Sequence, residues 1–365
     1  MKNIYLQILD KHSDNYPMVL ATVTRTHGST PQKPGSSALF GRNGLISGTV
    51  GGGIVEGNVQ KIALGAVLSK QSGHFHFNLA NDISNTEEAI CGGQISVLVD
   101  ANIHKCIPVL DEVKQSMKKR IPGVLITMVT SITEKTVLIN RYWMSETFRP
   151  SITPKFIEKI EPFVMSLLSS ANESDYRELE LKTRGEKIAS LFFLEPIFPP
   201  AHLVIAGAGH IGKALAHIGS MLDFEITVID DRPEYANSEN IPDASHIIVK
   251  DIGEAMQELK KRDDTFVVIV TRGHKDDAAA LKPCIGSDLA YTGMIGSKNK
   301  IATMRLNFIE NGLATDKQWD KIHAPIGLEI TSKTVEEIAV SIAAQLILVK
   351  NSRKSEVIVT RCNRL

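Results

Sequence analysis

A glycine-rich turn between an apolar strand and a helix constrains the fold of this chain more than any other feature. Residues 202–212 read HLVIAGAGHIG, so an apolar run leads into the spacing Gly207-x-Gly209-x-x-Gly212. In a Rossmann domain the first glycine permits a tight turn, the second lets the backbone approach a pyrophosphate, and the third lets helix and strand pack closely. The free N–H groups and partial positive charge of the helix N-terminus attract phosphate. The turn therefore predicts a nucleotide-type phosphate site.

The sequence around and after this turn alternates short apolar runs with helical segments. The predicted strands are 203–206, 225–230, 246–250, 266–271 and 291–294, and the predicted helices are about 211–222, 253–261, 276–284 and 297–312. Alternation of this kind builds a parallel sheet with helices on both faces. A capping box, Thr334 with Glu337, marks the start of a last helix. We therefore predict an α/β protein whose C-terminal domain is Rossmann-like.

The end of the second predicted strand carries the residues expected at a ribose. Asp230 occupies the position at which a carboxylate accepts ribose hydroxyls in this fold. Arg232 follows two residues later and leaves two interpretations open. Its guanidinium either accepts a 2′-phosphate or forms an ordinary surface ion pair.

Two further segments follow later strands and are expected at the same crevice, because ligands bind beyond the carboxyl ends of parallel strands. Arg272 and His274 follow the fourth strand and offer a fixed cation and a titratable donor. Gly296 and Ser297 follow the fifth strand and are a second candidate anion cradle. His210, inside the glycine-rich turn, completes the candidate set. A structural histidine at 274 and a plain helix N-cap at 297 remain alternatives.

Residues 195–201 read EPIFPPA, and three prolines in so short a segment predict a linker. We therefore divide the chain into an α+β domain at 1–195, a proline-rich linker at 196–200 and the Rossmann-like domain at 201–365. In the first domain, strands 36–40 and 45–49 flank Asn43-Gly44, which is typical of a hairpin turn. Further strands are expected at 18–26, 95–100, 123–130, 135–140, 176–183 and 189–195, with helices at 109–119 and 152–170.

Two glycine-rich motifs of the first domain also allow backbone N–H groups to approach phosphates. One is Gly51-Gly52-Gly53, which opens a helix predicted to reach residue 69, and the other is Cys91-Gly92-Gly93. Glu56 lies in the first turn of that helix and either contacts a ligand or stabilises the helix N-terminus. Gly52, Gly53, Glu56 and Cys91 are therefore candidate cofactor-binding residues.

Charge and cysteine content exclude several classes of protein. The 365 residues include 41 basic and 41 acidic side chains, which argues against general nucleic-acid binding and against membrane attachment by charge. Four cysteines with no CxxC pair argue against a disulfide framework. The N-terminal segment has the pattern of an amphipathic helix, and no apolar run reaches the roughly 18 residues of a membrane span. We therefore expect a cytoplasmic protein.

The motifs, taken in order, resemble those of the XdhC/CoxI proteins, accessory factors of molybdenum hydroxylases such as xanthine dehydrogenase. The resemblance covers nearly the whole chain. Its N-terminal part rests on residues 25–31 (RTHGSTP), 34–35 (PG), 48–53 (GTVGGG), 56–57 (EG) and 91–93 (CGG). Its C-terminal part rests on residues 207–212, 230–233 (DDRP), 271–274 (TRGH), 293–297 (GMIGS) and 323–327 (HAPIG).

This resemblance implies binding of the molybdenum cofactor, as molybdopterin or its dinucleotide form, and its protection while a terminal sulfur is installed. It also implies delivery to a molybdenum hydroxylase, with a sulfur-donating cysteine desulfurase as a second partner. Cys91 would then place a soft sulfur ligand near molybdenum, its alternative being a small core residue. Family members often carry cysteine where this chain has Ile54. A homodimer is expected, because a site of this kind is easily shared across a two-fold axis.

Other functions use the same Rossmann half. An NAD(P)-dependent oxidoreductase is one alternative, and a redox sensor that binds NAD without chemistry is another. Xanthine oxidation by this chain is not expected, because four cysteines cannot ligate the two Cys₄ iron–sulfur clusters of such enzymes. The chain is also too short to hold flavin, iron–sulfur and molybdenum domains together.

Overall fold

The computed structural model describes residues 3–12, 16–79, 93–133, 136–150, 154–169, 176–182 and 189–362. The chain falls into two compact units, Lys2–Pro199 and Pro200–Leu365. Among the described helices, none has the length and apolar character required to cross a membrane.

The first unit contains an antiparallel sheet in the order β3-β2-β1-β5-β4. Its strands are β1 (Val19–His27), β2 (Ser37–Gly41), β3 (Gly44–Gly48), β4 (Gly73–Asn78) and β5 (Gln94–Asp100). The predicted hairpin is confirmed, and Gly44 adopts a φ of 108° at its turn. Strand β4 was not predicted from the sequence, although it pairs with β5 along its whole length.

A second antiparallel sheet of this unit has the order β7-β6-β9-β8. Its strands are β6 (Gly123–Ser131), β7 (Val137–Ser145), β8 (Arg177–Leu181) and β9 (Ser190–Ile197). Strand β9 includes Pro196 and Ile197, so the first two residues of the predicted linker belong to the sheet. Pro196 lies opposite Val124 of β6, whereas the pairing of β9 with β8 ends at Leu194. A proline is tolerated there because, among the residues that the structure describes, no strand is paired with its second side.

The α-helices of this unit are α1 (Ile4–His12), α2 (Gly53–Ser69), α3 (Ile107–Lys118) and α4 (Pro154–Ser169). Helices α2 and α4 cover the outer faces of the two sheets, whereas α1 and α3 pack in a core that includes Leu20 of the first sheet and Leu125 of the second. Helix α2 packs on the first sheet through Val55, Val59 and Ala63, and α4 packs on the second through residues such as Ile160. The facing sides of the sheets meet around Phe193. The unit is therefore layered as helix, sheet, sheet and helix, which agrees with the predicted α+β character.

The second unit contains a parallel sheet in the order β12-β11-β10-β13-β14, which confirms the Rossmann-like prediction. The strands are β10 (His202–Ala206), β11 (Glu225–Asp230), β12 (His246–Val249), β13 (Thr265–Ile269) and β14 (Tyr291–Met294). The helices are α5 (His210–Met221), α6 (Ile252–Glu258), α7 (His274–Leu281), α8 (Lys298–Glu310), α9 (Asp316–Trp319) and α10 (Val335–Cys362).

Both faces of this parallel sheet are covered by helices. Leu203 and Ile205 contribute to a core with α5 and α10, while Val204 and Ala206 contribute to a core with α6, α7 and α8. Successive strand residues point to opposite faces, so a strand buried on both faces must be apolar throughout. This requirement explains why the apolar runs of the sequence predict these strands so well.

The segment 323–327 extends the sheet beyond β14. His323 forms a parallel bridge with Gly293, and the Ile326 N–H donates to the Met294 carbonyl at 3.0 Å. The Gln345 side chain of α10 accepts hydrogen bonds from the Gly327 N–H and the Tyr291 hydroxyl, at 2.8 and 2.5 Å. Helix α10 begins at the predicted Thr334–Glu337 capping box.

Candidate functional site

The structure brings three predicted segments to one edge of the parallel sheet. Strands β10, β13 and β14 are neighbours and run in the same direction, so residues 207–212, 271–274 and 295–298 follow their carboxyl ends side by side. The strand order reverses at β10, since β11 lies on one side of it and β13 on the other. In open α/β sheets, ligands bind in the crevice at such a switch point.

The three glycines of the turn lie in different surroundings. Gly207 has a φ of 115°, and a Cβ there would lie 2.5 Å from the Val270 carbonyl oxygen. At Gly212 a Cβ would lie 1.9 Å from the Gly207 carbonyl oxygen. The fold therefore requires glycine at both positions. Gly209 differs, because a Cβ built on it meets no atom within 4 Å. The space above Gly209 is open to a ligand.

Gly209 also caps helix α5 without supplying a side-chain hydrogen bond. The first N–H groups of a helix have no partner within the helix, and a phosphate beside them satisfies those donors and the helix dipole together. The exposed residue His210 opens the helix and stands next to this position. The turn thus has the local structure of a phosphate-binding site.

Asp230 lies beneath this turn and is nearly inaccessible to solvent. Its Oδ2 accepts from the Ala208 N–H at 2.7 Å and from Arg232 Nη2 at 2.9 Å. Its Oδ1 accepts from the N–H and the Nε of Arg232, at 3.0 and 2.9 Å. Burial alone would raise the pKa of this carboxyl, but the Arg232 and backbone hydrogen bonds outweigh burial and lower the pKa to about 2. Of the two interpretations left open for Arg232, the structure shows an ion pair.

A second arginine lies at the adjoining strand end. Arg272 pairs with Asp231 at 3.2 Å and approaches Asp276 at 3.9 Å, and its side chain is 56% exposed. His274 is exposed and begins helix α7, whose N-cap residue, Gly273, supplies no side-chain hydrogen bond. Both predicted residues therefore lie at the edge of the crevice with solvent-facing polar groups.

An ion pair with a buried carboxylate supports this loop and was missed from the sequence. Asp277 is fully buried, accepts from the Thr271 hydroxyl at 2.6 Å and is paired with Lys300 of α8. This pair ties the loop after β13 to the helix after β14. The residues are distant in sequence, and only their places near two predicted helix starts gave any signal.

Gly296 and Ser297 follow β14 as predicted, but both lie against the first turn of helix α8. The Ser297 hydroxyl accepts from the Lys300 N–H at 3.3 Å and caps helix α8. A Cβ at Gly296 would lie 2.9 Å from Ile301 Cδ1. The geometry therefore matches the alternative of a serine N-cap after a glycine turn.

The N-terminal unit holds a second glycine-rich helix start. Gly52 caps α2 without a side-chain hydrogen bond, and a Cβ at Gly52 or Gly53 would meet no atom within 4 Å. Glu56 lies in the first turn and accepts a long hydrogen bond, 3.5 Å, from the Thr49 hydroxyl. Its carboxylate is placed to interact favourably with the helix dipole. The start of α2 is thus a second open N-terminus lined by backbone.

Three motifs of this unit meet beside that helix start. A Cβ at Gly51 would lie 2.9 Å from Pro31 Cγ, and a Cβ at Gly93 would lie 2.4 Å from the Ser29 carbonyl oxygen. Residues 25–31 are therefore in contact with both glycine-rich motifs, which the sequence alone did not indicate. Cys91, the predicted sulfur ligand, lies outside the described residues. Within the described ranges, no group of three or more His, Cys, Asp or Glu side chains is arranged to hold a metal ion.

The interior of the same unit contains ionisable groups that were also missed from the sequence. Arg141 and Asp100 form an ion pair in which both side chains are almost completely buried. The Tyr5 hydroxyl donates to Glu195 at 2.5 Å, and desolvation raises the pKa of Glu195 to about 7 despite that bond and the charge of Arg141. Desolvation likewise lowers the pKa of His74 to about 4. Nothing in a one-dimensional pattern pairs residues so far apart in sequence.

Comparison with known proteins identifies the family. A family model described as XdhC Rossmann domain matches residues 203–346, and one described as XdhC and CoxI family matches residues 12–78. Together the two matches span more than half of the chain. The chain belongs to the XdhC/CoxI family. The XdhC Rossmann match contains every crevice residue described above, and the N-terminal match contains Gly52, Gly53 and Glu56.

Individual relatives agree with this assignment. The chain is 26% identical to a probable xanthine dehydrogenase subunit of Bacillus subtilis, over 95% of this chain and 97% of that protein. It is 24% identical to the uncharacterized protein YqeB of Escherichia coli over 96% of its own length, but spans only 47% of YqeB. A crystal structure of a xanthine dehydrogenase from Bacillus halodurans superposes with a TM-score of 0.76 at 25% identity, covering 96% of each chain.

Proposed function

We propose that this protein binds molybdenum cofactor, protects it while a terminal sulfur is installed, and delivers it to a molybdenum hydroxylase such as xanthine dehydrogenase. Its family and its likeness to a probable xanthine dehydrogenase subunit support an accessory role of this kind. A sulfur-donating cysteine desulfurase would be the second partner, and a homodimer the working assembly.

The observation that carries the proposal is the open phosphate position at the start of α5. Gly209 leaves room for an anionic group, and the helix offers unpaired N–H donors to it. Molybdopterin carries a phosphate, so the donor chemistry of this turn fits the ligand. The exposed groups of His210, Arg272 and His274 would add donors around it.

In the N-terminal unit, Gly52 and Gly53 would provide backbone donors at the start of α2. Cys91 would supply a thiolate, which suits a soft metal centre better than an oxygen ligand does. When bound, the cofactor supplies the molybdenum centre that the hydroxylase uses, while the residues of this chain hold it and shield it from water. This role requires no turnover of a small substrate.

Oxidation of xanthine by the chain itself is not supported. The sequence has four cysteines, and two of them, Cys106 and Cys284, are buried free thiols. Burial raises the pKa of both thiols, which disfavours the thiolate that ligates iron. Two Cys₄ clusters therefore cannot be assembled from this chain.

The decisive experiment is reconstitution. Purified protein is loaded anaerobically with sulfurated cofactor and mixed with cofactor-free xanthine dehydrogenase, and the recovered xanthine oxidation is measured. We expect faster and more complete recovery than with free cofactor. The Gly209→Val protein, whose added branch fills the phosphate position, should give no more recovery than free cofactor.

Two outcomes would contradict the proposal. One is turnover of xanthine by this protein alone. The other is a failure to bind the cofactor anaerobically, together with tight binding of NAD(H). That second result would favour an NAD(P)-dependent oxidoreductase or a redox sensor built on the same Rossmann domain.

A further inference from the structure

The carboxylate at the end of β11 is the group that holds a ribose in a nucleotide-binding Rossmann domain, and here it is already occupied. An ionised carboxylate accepts hydrogen bonds at about four lone-pair positions. Asp230 receives four, three of them from Arg232 and one from the Ala208 N–H. Only 2% of its side chain is exposed. A ribose diol therefore finds no free acceptor on Asp230.

Arg232 is held in this position from two sides. Its Nε and Nη2 bond the two carboxylate oxygens in a bidentate arrangement, which is the strongest form of such a pair. The guanidinium also lies over the ring of Tyr235, with its Cζ 4.0 Å from the ring centroid. Its side chain retains 20% exposure, so the guanidinium forms the surface that a ligand would meet.

The neighbouring acid does not replace Asp230. Asp231 is exposed but is paired with Arg272, which is itself drawn toward Asp276. The end of β11 thus presents acids that are each matched by an arginine. The glycine-rich turn beside it differs, because its helix N-terminus has open space and no side-chain cap.

We propose that Arg232 is a specificity-determining residue that fills the ribose-diol position at Asp230, so that the crevice selects ligands anchored by phosphate alone and discriminates against NAD(H) and other ligands that place a ribose there. This inference rests on the proposed function, because it assumes that the turn at Gly209 binds phosphate. It goes further by naming the class of ligand that the crevice rejects and the side chain that rejects it.

The test compares ADP with 2′-deoxy-ADP, which differ by one hydroxyl of the diol, in calorimetric titrations of the full-length protein. In the wild type we expect equal affinities for the two nucleotides. In Arg232→Ala the freed carboxylate should accept the hydroxyl, so ADP should bind roughly tenfold more tightly than 2′-deoxy-ADP. The double variant Asp230→Asn with Arg232→Ala should lose most of this preference.

Arg305→Ala is the matched control. Arg305 also forms a surface ion pair in the same unit, with Asp316 at 2.8 Å, but lies on α8 away from β11. Its removal should leave the nucleotide ratio at one. Because Arg232→Ala also removes a partner of a buried carboxylate, its thermal unfolding is measured alongside. Arg232→Lys, which keeps the charge but cannot form the bidentate pair, is a second variant and should shift the ratio in the same direction.

A wild type that already prefers ADP by tenfold would overturn the inference, because the diol would then reach Asp230. So would a folded Arg232→Ala or Arg232→Lys protein whose ratio stays at one, or that binds no ADP. Failure of the proposed function gives a different result. In that case the wild type would fail to bind cofactor anaerobically, whatever the nucleotide ratio of the Arg232 variants.

Discussion

Replacing Glu195 by glutamine should stabilise the N-terminal unit at neutral and alkaline pH. Desolvation raises the pKa of Glu195 from 4.5 to about 7, although the Tyr5 hydrogen bond and Arg141 oppose the shift. One pKa unit corresponds to about 1.4 kcal/mol, so ionising this group in the folded state costs at most about 3 kcal/mol. The wild type carries this cost in full above pH 7 and is free of it below about pH 4.5. Glutamine has no charge and still accepts from Tyr5, so the variant should avoid the cost.

His74 titrates with the opposite effect on stability over nearly the same range. Desolvation lowers its pKa from 6.5 to about 4, so the stability it contributes is present above pH 6.5 and is lost as the pH falls toward 4. In the wild type, lowering the pH therefore removes the unfavourable charge of Glu195 and at the same time adds an unfavourable charge to His74. The two changes in the free energy of unfolding largely cancel. In Glu195→Gln only the histidine effect remains. The variant should lose stability steadily between pH 6.5 and 4.

Urea unfolding followed by tryptophan fluorescence measures both effects. The chain has two tryptophans, and Trp143 is buried in the N-terminal unit, so a Trp319→Phe background makes the signal report on that unit. The stability difference between Glu195→Gln and Glu195 proteins should approach 3 kcal/mol at pH 8 and vanish near pH 4.5. A difference that does not change with pH would refute the argument, because it would show that Glu195 titrates normally in the folded protein.

Four further substitutions test other parts of the structure. Gly209→Val should abolish cofactor binding in equilibrium titrations while circular dichroism and the melting temperature stay near wild type, since a Cβ there meets no atom. Gly212→Ala should instead lower the melting temperature by several degrees, because its Cβ would overlap a carbonyl oxygen. Arg141→Met should cost roughly 3–5 kcal/mol in urea unfolding by leaving Asp100 buried without its partner. Cys91→Ser should shorten the lifetime of bound cofactor in air more than it lowers the melting temperature, since the exchange changes ligand softness and little volume.

The Rossmann half was largely predictable from the sequence because its strands and helices are marked by patterns of residues that are close together in the chain. The central strands β10 and β13 are buried on both faces and are therefore mainly apolar, and helices follow β10, β12, β13 and β14 along the chain. The first sheet of the N-terminal unit was harder. Strand β4 reads GHFHFN, in which His74 and His76 alternate with phenylalanines. These histidines face Thr24 and Ser96, which bond their ring nitrogens at 2.8 Å, and such partners are invisible before the sheet is formed.

The backbone conformation of the candidate site could be predicted from the sequence, but the hydrogen-bond partners of its side chains could not. Glycine spacing indicated the turn and the helix start, because these depend on neighbours in sequence. The partner of Asp230 was not determined in this way, since a carboxylate at a strand end serves equally well as a ribose acceptor or as half of an ion pair. Which of them forms depends on whether a nearby arginine can reach both oxygens, and Arg232 does so. A sequence motif therefore locates such a site more securely than it identifies the ligand.

The motifs contain two kinds of glycine, those that the fold requires and those that a bound ligand would require. Gly207 and Gly212 are explained by close backbone contacts, so their presence says nothing about binding. Gly209 and Gly52 have ordinary negative φ angles and no neighbour that a Cβ would touch. Glycine at such a position makes the helix start less stable than serine, threonine or aspartate would, because those side chains cap the helix. No close packing at either position offsets this loss of stability. Both stand where a side chain would block access to unpaired N–H groups. An anionic ligand that needs that access is the physical reason we infer for glycine at these two positions.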